Sequence, residues 1–226
     1  MQPVRHDPIH LALDESPVDH PSAGIRHYLP DLALLNYLLQ DLRALLRRAA
    51  ADQLTLSPHQ EITWFVHGLK RRTVICDPAA LLVPGDVLIV GFCGDRRSTG
   101  EAAGVDHAEL DVIAEFPDYP GILSYSSVEL VDNQWANLVV HTSPTDRREW
   151  RHGKVHIRAA EELAPLVYHN VRIHNGGIRN GPIGSDTVAI VTTKYFDYDC
   201  DPMWHAERVL PGGASETVGS PWPEWP

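Results

Sequence analysis

The sequence predicts an α+β fold in which one antiparallel sheet carries its helices on one face. Between residues 87 and 197, five segments have the composition and alternation of β-strands, and two others have hydrophobic residues at helical spacing. The order of these segments is strand, helix, strand, strand, helix, strand, followed by one more strand. That order is typical of the split βαβ plan, which predicts an antiparallel sheet.

The N-terminal part of the chain is predicted to add a helix and a hairpin. Residues 1–28 are rich in Pro, Asp and His without periodicity, which predicts an extended arm. Leucines recur at helical spacing over residues 31–51, so a helix with one buried stripe is expected there. Two β-prone runs, 62–66 and 72–76, flank His67-Gly68 and predict a hairpin. We interpret residues 29–84 as a helix plus hairpin extension.

Residues 85–197 are predicted to form the main domain. Its first strand covers residues 87–93, and a helix over 105–116 follows and stops at Pro117. The segments 122–130 and 134–143 alternate as two strands of a hairpin.

A second helix over residues 145–167 has Ser143 or Thr145 as its N-cap, and strands at 170–178 and 186–199 complete the domain. The whole order is ferredoxin-like. Residues 198–226 are rich in Pro, Gly and Trp and are expected to be a C-terminal arm. Trp222 and Trp225 favour an arm that docks on another surface, and a disordered tail is the alternative.

Composition excludes several classes of protein. The formal net charge of −11 is unfavourable for a general nucleic-acid binder or a binder of anionic membranes, which need a basic surface. Three cysteines without a CxxC pair indicate reduced thiols in the cytoplasm. No apolar run approaches the length of a membrane span, and the N-terminus lacks the apolar segment of a signal peptide. We therefore expect a soluble cytoplasmic protein.

The strand at 134–143 carries the first group of candidate site residues. Alternation places Trp135, Asn137, Val139 and His141 on one face, and Ala136, Leu138 and Val140 on the other, which is expected to be the core face against the helices. An amphipathic face with Trp, Asn and His could line a cavity that grips an aromatic ligand. A solvent-exposed face and a dimer interface are the alternatives.

The stretch from His141 to Pro165 carries the second group. His152 and His156 are four residues apart and could approach one metal ion. Gly153 between them and the lack of a zincin-type carboxylate weigh against it, and no metal is expected. His156 beside Trp150 is better interpreted as a proton relay, or as a histidine at the edge of the core. The arginines of this stretch, Arg147, Arg148 and Arg151, are expected to be solvated.

Other strands supply polar candidates. Arg172 and His174 share one face of the strand 170–178 and could hold a carboxylate or an enolate. Tyr125, on the strand 122–130, could add a hydroxyl donor.

The tract from His141 through Ser143 to Trp150 resembles the dimeric α+β barrel superfamily. This superfamily includes antibiotic-biosynthesis-type monooxygenases, haem-degrading monooxygenases, chlorite dismutases and stress-responsive proteins. The resemblance covers about residues 85–197 and implies two sheets that pair face to face between subunits, with substrate or haem in the cavity. His141 stands where the haem-degrading members have Trp, and Glu161 stands where they have the proximal histidine. The cofactor-independent and stress-responsive members match better.

The resemblance implies a small-molecule enzyme that acts on an aromatic or polyketide-like substrate by oxidation or cyclisation through the substrate's own enolate. We expect His141 and His156 to be the acid-base groups. The expected substrate contacts are Trp135, Asn137, Tyr125, Trp150, Arg172 and His174. No cofactor is favoured, and haem is possible. A haem enzyme with another axial ligand and a non-catalytic ligand-binding or stress-responsive protein are the alternatives.

A homodimer is also expected. The sheet face with Trp135, Tyr125 and Val139 would otherwise be an exposed apolar patch, unless the helix 31–51 covers it.

Overall fold

The computed structural model describes residues 7–97 and 109–210. In these residues the strands are β1 Ile9–His10, β2 Gln60–Val66, β3 Leu69–Ile75, β4 Val87–Arg96, β5 Ile122–Glu129, β6 Gln134–His141, β7 Tyr168–Ile178, β8 Ala189–Asp197 and β9 Trp204–Val209. They form one sheet in the order β1-β9-β8-β7-β4-β6-β5-β3-β2. Every pair is antiparallel except β1 with β9.

The helices are α1 Tyr28–Ala50, α2 Pro78–Leu81, α3 at 109–114, α4 Pro144–Arg151, α5 Lys154–Ile157 and α6 Ala164–Val167, with a π-helical turn, Arg158–Leu163, between α5 and α6. An α+β fold with a mostly antiparallel sheet was predicted and is confirmed. The sheet is larger than predicted, because the β2–β3 hairpin extends it at one edge and β9 with β1 extends it at the other.

Helix α1 packs on one face of the sheet because its leucines lie on one side at helical spacing. Leu35, Leu39 and Leu42 are fully buried and belong to one apolar cluster with Leu138 of β6. Gly91 of β4 permits this close packing, since a Cβ there would lie 2.5 Å from a methyl carbon of Leu35.

The other face of the sheet is covered by helices α3 to α6. Val112 of α3 and Trp150 of α4 pack in a cluster with Tyr125 and Val139. Ala164 of α6 packs in a second cluster with Trp135, Tyr168 and Val171. We call this face of the sheet the helical-cover face and the opposite one the α1 face.

Helices on both faces correct the prediction of helices on one face. The strand alternation in β6 is as predicted, but Ala136, Leu138 and Val140 face α1, and Trp135 and Val139 face the helices that follow in the chain. Both sides of β6 are rich in apolar residues, so alternation separates the faces without identifying the layer that covers each. The uncovered face from which a homodimer was expected is therefore covered.

The predicted helix over 145–167 is divided in the structure. Helix α4 begins after Ser143, whose Oγ accepts a hydrogen bond from the backbone N–H of Asp146, and it ends before Gly153. A Cβ on Gly153 would lie 2.4 Å from the hydroxyl oxygen of Tyr119, so a glycine fits this break. The remainder runs through α5, the π-helical turn and α6.

The predicted arms are partly ordered into the sheet. Residues 9–10 and 204–209, predicted as arms, are the strands β1 and β9. Residues 105–108 of the predicted helix, and Trp222 and Trp225, lie outside the described residues. Among the helices of the described ranges, each is too short or too polar to cross a membrane.

Candidate functional site

A row of side chains at the centre of the helical-cover face is only half buried. Asn137, Phe92, Ile173 and Lys194 are paired neighbours on β6, β4, β7 and β8, and all four retain partial exposure. Central strands of a covered sheet normally bury such positions completely. Solvent therefore reaches the middle of this face.

The helical segment that follows Gly153 is half buried in the same way. Val155, Ala159 and Leu163 have intermediate exposure, and within the described ranges none of them joins a packed apolar cluster. The α4 and α6 ends of the segment do pack on the sheet, through Trp150 and Ala164. The segment is held at both ends, and its middle and the row are both incompletely buried, which we interpret as a cleft between them.

The π-helical turn lies in this segment. Such turns are rare, and they occur frequently at functional sites. No sequence pattern predicted it.

Trp150 contacts both histidines that the sequence singled out. The centre of its ring lies 4.5 Å from the centre of the His156 ring, in an edge-to-face arrangement, and 5.5 Å from the centre of the His141 ring. His156 is partly buried, whereas His141 is fully buried. The structure thus brings three of the predicted site residues together at the end of strand β6 and the start of the helical segment.

His141 and Trp150 carry buried nitrogen atoms without partners. The two ring nitrogens of His141 have no hydrogen-bond partner among the described residues, and the same holds for the indole Nε1 of Trp150. Each such atom costs about 1–3 kcal/mol of stability if it stays unsatisfied. Adjacent unsatisfied groups of this kind need a partner, such as an ordered water or a bound polar group.

Burial sets the charge of both histidines. It lowers the pKa of His141 to about 3, with a smaller contribution from the positive charge of Arg147. It lowers the pKa of His156 to about 4, again with a contribution from a nearby arginine, Arg151. Both imidazoles are therefore neutral at physiological pH, and their lowered pKa values also make them weaker bases than a free imidazole.

Positive charge collects beside the half-buried row. Arg147 donates from Nη1 to Oδ1 of Asn175 on β7 at 2.8 Å, and burial with neighbouring arginines lowers its pKa to about 10. Burial lowers the pKa of Lys194, an effect that the charges of Arg147 and Arg151 increase and that of Glu207 opposes. Oε2 of Glu207 lies 3.7 Å from Nζ of Lys194 and offsets part of this positive charge.

Arg147 was predicted to be solvated, and it is half buried. The sequence indicated that Arg147 would be partly buried, because it precedes Trp150 by three residues. The two residues therefore lie on the same side of helix α4. Lys194 was not predicted as a site residue, because nothing local indicated that strand β8 borders the cleft.

The other predicted residues of the helical-cover face have structural partners. Trp135 is buried under α6 and stacks with the guanidinium of Arg96, whose carbon lies 4.1 Å from the ring centre. The hydroxyl of Tyr125 donates to Glu109 of α3 at 3.0 Å. Asn137 is the member of this group that lies in the half-buried row.

Arg172 and His174 lie on the α1 face, away from the residues above. Arg172 donates to both carboxylate oxygens of Asp31, at 2.6 and 3.0 Å, and Nε2 of His174 lies 3.0 Å from Asp31 Oδ2. The two residues do hold a carboxylate, as their chemistry indicated, but it belongs to helix α1. These contacts give the two residues a structural role, and their place in a substrate site stays a prediction.

This buried cluster also contains Cys93. Asp31, Cys93 and His174 have donor atoms close enough to bind one metal ion. However, Arg172 occupies the carboxylate of Asp31, and its positive charge opposes a cation there.

The remaining cofactor expectations concern the helical segment. His152 is exposed and lies at the break between α4 and α5, so the helical spacing that a shared metal with His156 required is interrupted. Glu161, at the position of the haem ligand in the resembling enzymes, is exposed. These residues do not fit a haem at that position.

Comparisons with known proteins add little to this geometry. No protein-family model and no curated protein matches the chain. Among solved structures, the chain is similar to protein SO0527 from Shewanella oneidensis with 9% identity and a TM-score of 0.37, over 42% of this chain and 91% of that chain. A likeness at this level relates neither the folds nor the functions.

Proposed function

We propose that the chain is an enzyme that binds a small aromatic or polyketide-like anion in the cleft and removes a proton from it. The observation that carries the proposal is the group of unpartnered buried nitrogens on His141 and Trp150, where the positive charge of Arg147 acts on His141. A polar substituent of the ligand would satisfy those nitrogens. Its ring would lie against Trp150 and Phe92.

His156 is the better proton acceptor of the two histidines. It is neutral, only partly buried and in contact with Trp150, whereas His141 is fully buried. His141 would serve as a hydrogen-bonding partner for the ligand. Arg147 and Lys194 would stabilise the enolate that forms when the proton leaves. Proton removal is the step shared by cofactor-free oxidation and by cyclisation.

We propose further that residues 85–197 are a ferredoxin-like unit of the dimeric α+β barrel type. The support is the strand order β7-β4-β6-β5 at the centre of the sheet, with the connections through α3 and through α4 to α6 on the same face. Helix α1 covers the face that pairs between subunits in that superfamily. A homodimer stays a prediction, and it would have to use another surface, such as the edge strand β2.

Deuterium exchange tests the chemistry without a known substrate. The probe is 4-acetylbenzoate, an aromatic anion with an enolisable methyl ketone, and proton NMR follows the loss of its methyl signal in D2O. We expect the protein to accelerate the exchange and His156→Ala to reduce the acceleration roughly a hundredfold. Arg148→Ala, an exposed change on the same segment, should leave the rate unchanged.

The outcomes separate the candidate functions. Binding without accelerated exchange would favour the non-catalytic ligand-binding protein. The absence of both binding and accelerated exchange would contradict the proposal. A strong Soret absorption in the purified protein would favour the haem enzyme instead.

A further inference from the structure

Three different metal-ligand side chains converge at the far end of strand β8. His20 comes from the N-terminal segment, Asp197 ends β8, and Cys200 lies in the turn before β9. Nδ1 of His20 lies 2.9 Å from Oδ2 of Asp197 and 3.9 Å from Sγ of Cys200. Segments that are distant in the sequence thus bring imidazole, carboxylate and thiol to one point.

The distances suit a tetrahedral ion. Zinc bonds of about 2.0–2.3 Å at tetrahedral angles hold neighbouring N, O and S ligands about 3.4–3.6 Å apart. The two separations from His20 Nδ1 lie on either side of that interval, and the three donor atoms all lie within 4.8 Å of one another, so small side-chain shifts would bring them to one ion. His20 and Asp197 are also shielded, with 16% and 15% of their side chains exposed.

The surrounding residues hold the donor groups in place. The indole of Trp204 stacks on the His20 ring with centres 3.9 Å apart and planes 15° apart. The backbone N–H of Asp199 donates to Oδ1 of Asp197, which leaves Oδ2 directed at His20. Support of this kind is typical of metal ligands, whose orientation depends on their own partners.

The local charge favours a cation. The negative charges of Asp197, Asp199 and Asp19 all act on Cys200. The same negative field attracts a divalent ion, and the ion would in turn displace the thiol proton. Asp199 itself is engaged by Arg97 and His169, so it acts through its charge.

We propose that His20, Asp197 and Cys200 bind a zinc-type divalent cation through one nitrogen, one oxygen and one sulfur. Three protein ligands leave one position for water or for a further ligand. The ion would fasten the N-terminal segment to the end of β8 and to the turn that leads into β9. This site is separate from the cleft and does not depend on the function proposed for it.

Cobalt spectroscopy tests the site in the full-length protein. Co²⁺ bound through a thiolate gives a charge-transfer band in the near ultraviolet, and a tetrahedral site adds intense visible bands. We expect both with one ion per chain, and Zn²⁺ should abolish them by competition. Cys200→Ser should remove the charge-transfer band, and His20→Ala and Asp197→Asn should each weaken binding at least about tenfold.

The matched control is His169→Ala, which removes a neighbouring histidine that contacts Asp199 and should leave the spectrum unchanged. Circular dichroism checks that each variant is folded, and His20→Ala provides the second test if Cys200→Ser is not. A thiolate band that persists in folded Cys200→Ser, or cobalt binding that none of the three substitutions weakens, would overturn the proposal.

Discussion

Arg172 holds the carboxylate of Asp31 at two points, with Nε 2.6 Å from one oxygen and Nη2 3.0 Å from the other. The pair joins the first turn of helix α1 to strand β7, and both side chains are buried. Burial by itself raises the pKa of Asp31, but hydrogen bonds from His174 and Arg172 outweigh it and hold that pKa well below its usual range. The pair therefore fixes the position of the helix that covers the α1 face.

Asp31→Asn should be strongly destabilising. It leaves the buried guanidinium of Arg172 without its counter-charge, and such a loss typically costs about 3–5 kcal/mol. Urea unfolding at pH 7 measures it. The control is Asp41→Asn on the same helix, whose pair with Arg71 is more exposed and whose loss should cost at most about 1 kcal/mol. Equal small losses in both variants would show that Asp31 does not anchor α1.

The stabilisation from Asp31 should also depend on pH in a definite direction. Its folded pKa lies below the unfolded value of 3.8, so its contribution is complete above that value and is lost as the pH falls below it. Acid unfolding should therefore begin at a higher pH in Asp31→Asn, because that variant starts from lower stability.

Because of His141, the free energy of unfolding should begin to fall at a higher pH than the pH at which the contribution of Asp31 is lost. Its folded pKa of about 3 lies below the ordinary value of 6.5, so the unfolded state binds an extra proton between these values. Stability from this group is complete above 6.5 and falls by about 1.4 kcal/mol for each pH unit below it. His141→Leu removes that loss. Urea unfolding at pH 7 and pH 5 should show that the stability of His141→Leu rises relative to that of the wild type as the pH falls.

The control for His141 is His152→Leu, which changes an exposed histidine in the same part of the chain. The difference in stability between this variant and the wild type should be the same at both pH values. If His141→Leu shows no gain at pH 5, the histidine is not buried in a neutral form.

Gly176 should tolerate no side chain. It lies at the irregularity between β7 and β8, where a Cβ would stand 1.9 Å from the backbone oxygen of Ala189. Gly176→Ala should therefore disrupt the pairing of these strands and lower the melting temperature sharply. Gly85→Ala, where no atom lies within 4 Å of the added Cβ, should change it little. Similar melting temperatures would mean that the two strands pair differently.

Local sequence patterns predicted the secondary-structure elements better than they predicted what packs against each element. The leucine repeat of α1 and the His67-Gly68 hairpin were both expected, and the turn has positive φ at both residues, as a two-residue hairpin favours. Strand alternation separated Trp135 from Ala136 correctly. The layer that covers each face depends on contacts between distant segments, which a repeat of two or of 3.6 residues does not encode.

The same limit applies to the candidate site. The contact of His156 with Trp150 is local, and the sequence indicated it. The partner of Arg172 and His174 lies more than a hundred residues away on α1, so their chemistry was recognised and their location was not. The π-helical turn has no sequence signal that we could identify.

Calorimetric titration with 1-naphthoate, and with its neutral analogue 1-naphthamide, measures whether the cleft binds an aromatic anion next to Arg147 and Trp150. We expect naphthoate to bind more tightly than the amide, and Arg147→Ala to weaken naphthoate binding at least about tenfold, the cost of about 1.4 kcal/mol for one charged hydrogen bond. Arg148→Ala, an exposed arginine next in the chain, should leave it unchanged. Equal affinity for the acid and the amide, or equal weakening by the two arginine substitutions, would contradict a cleft that recognises an anion.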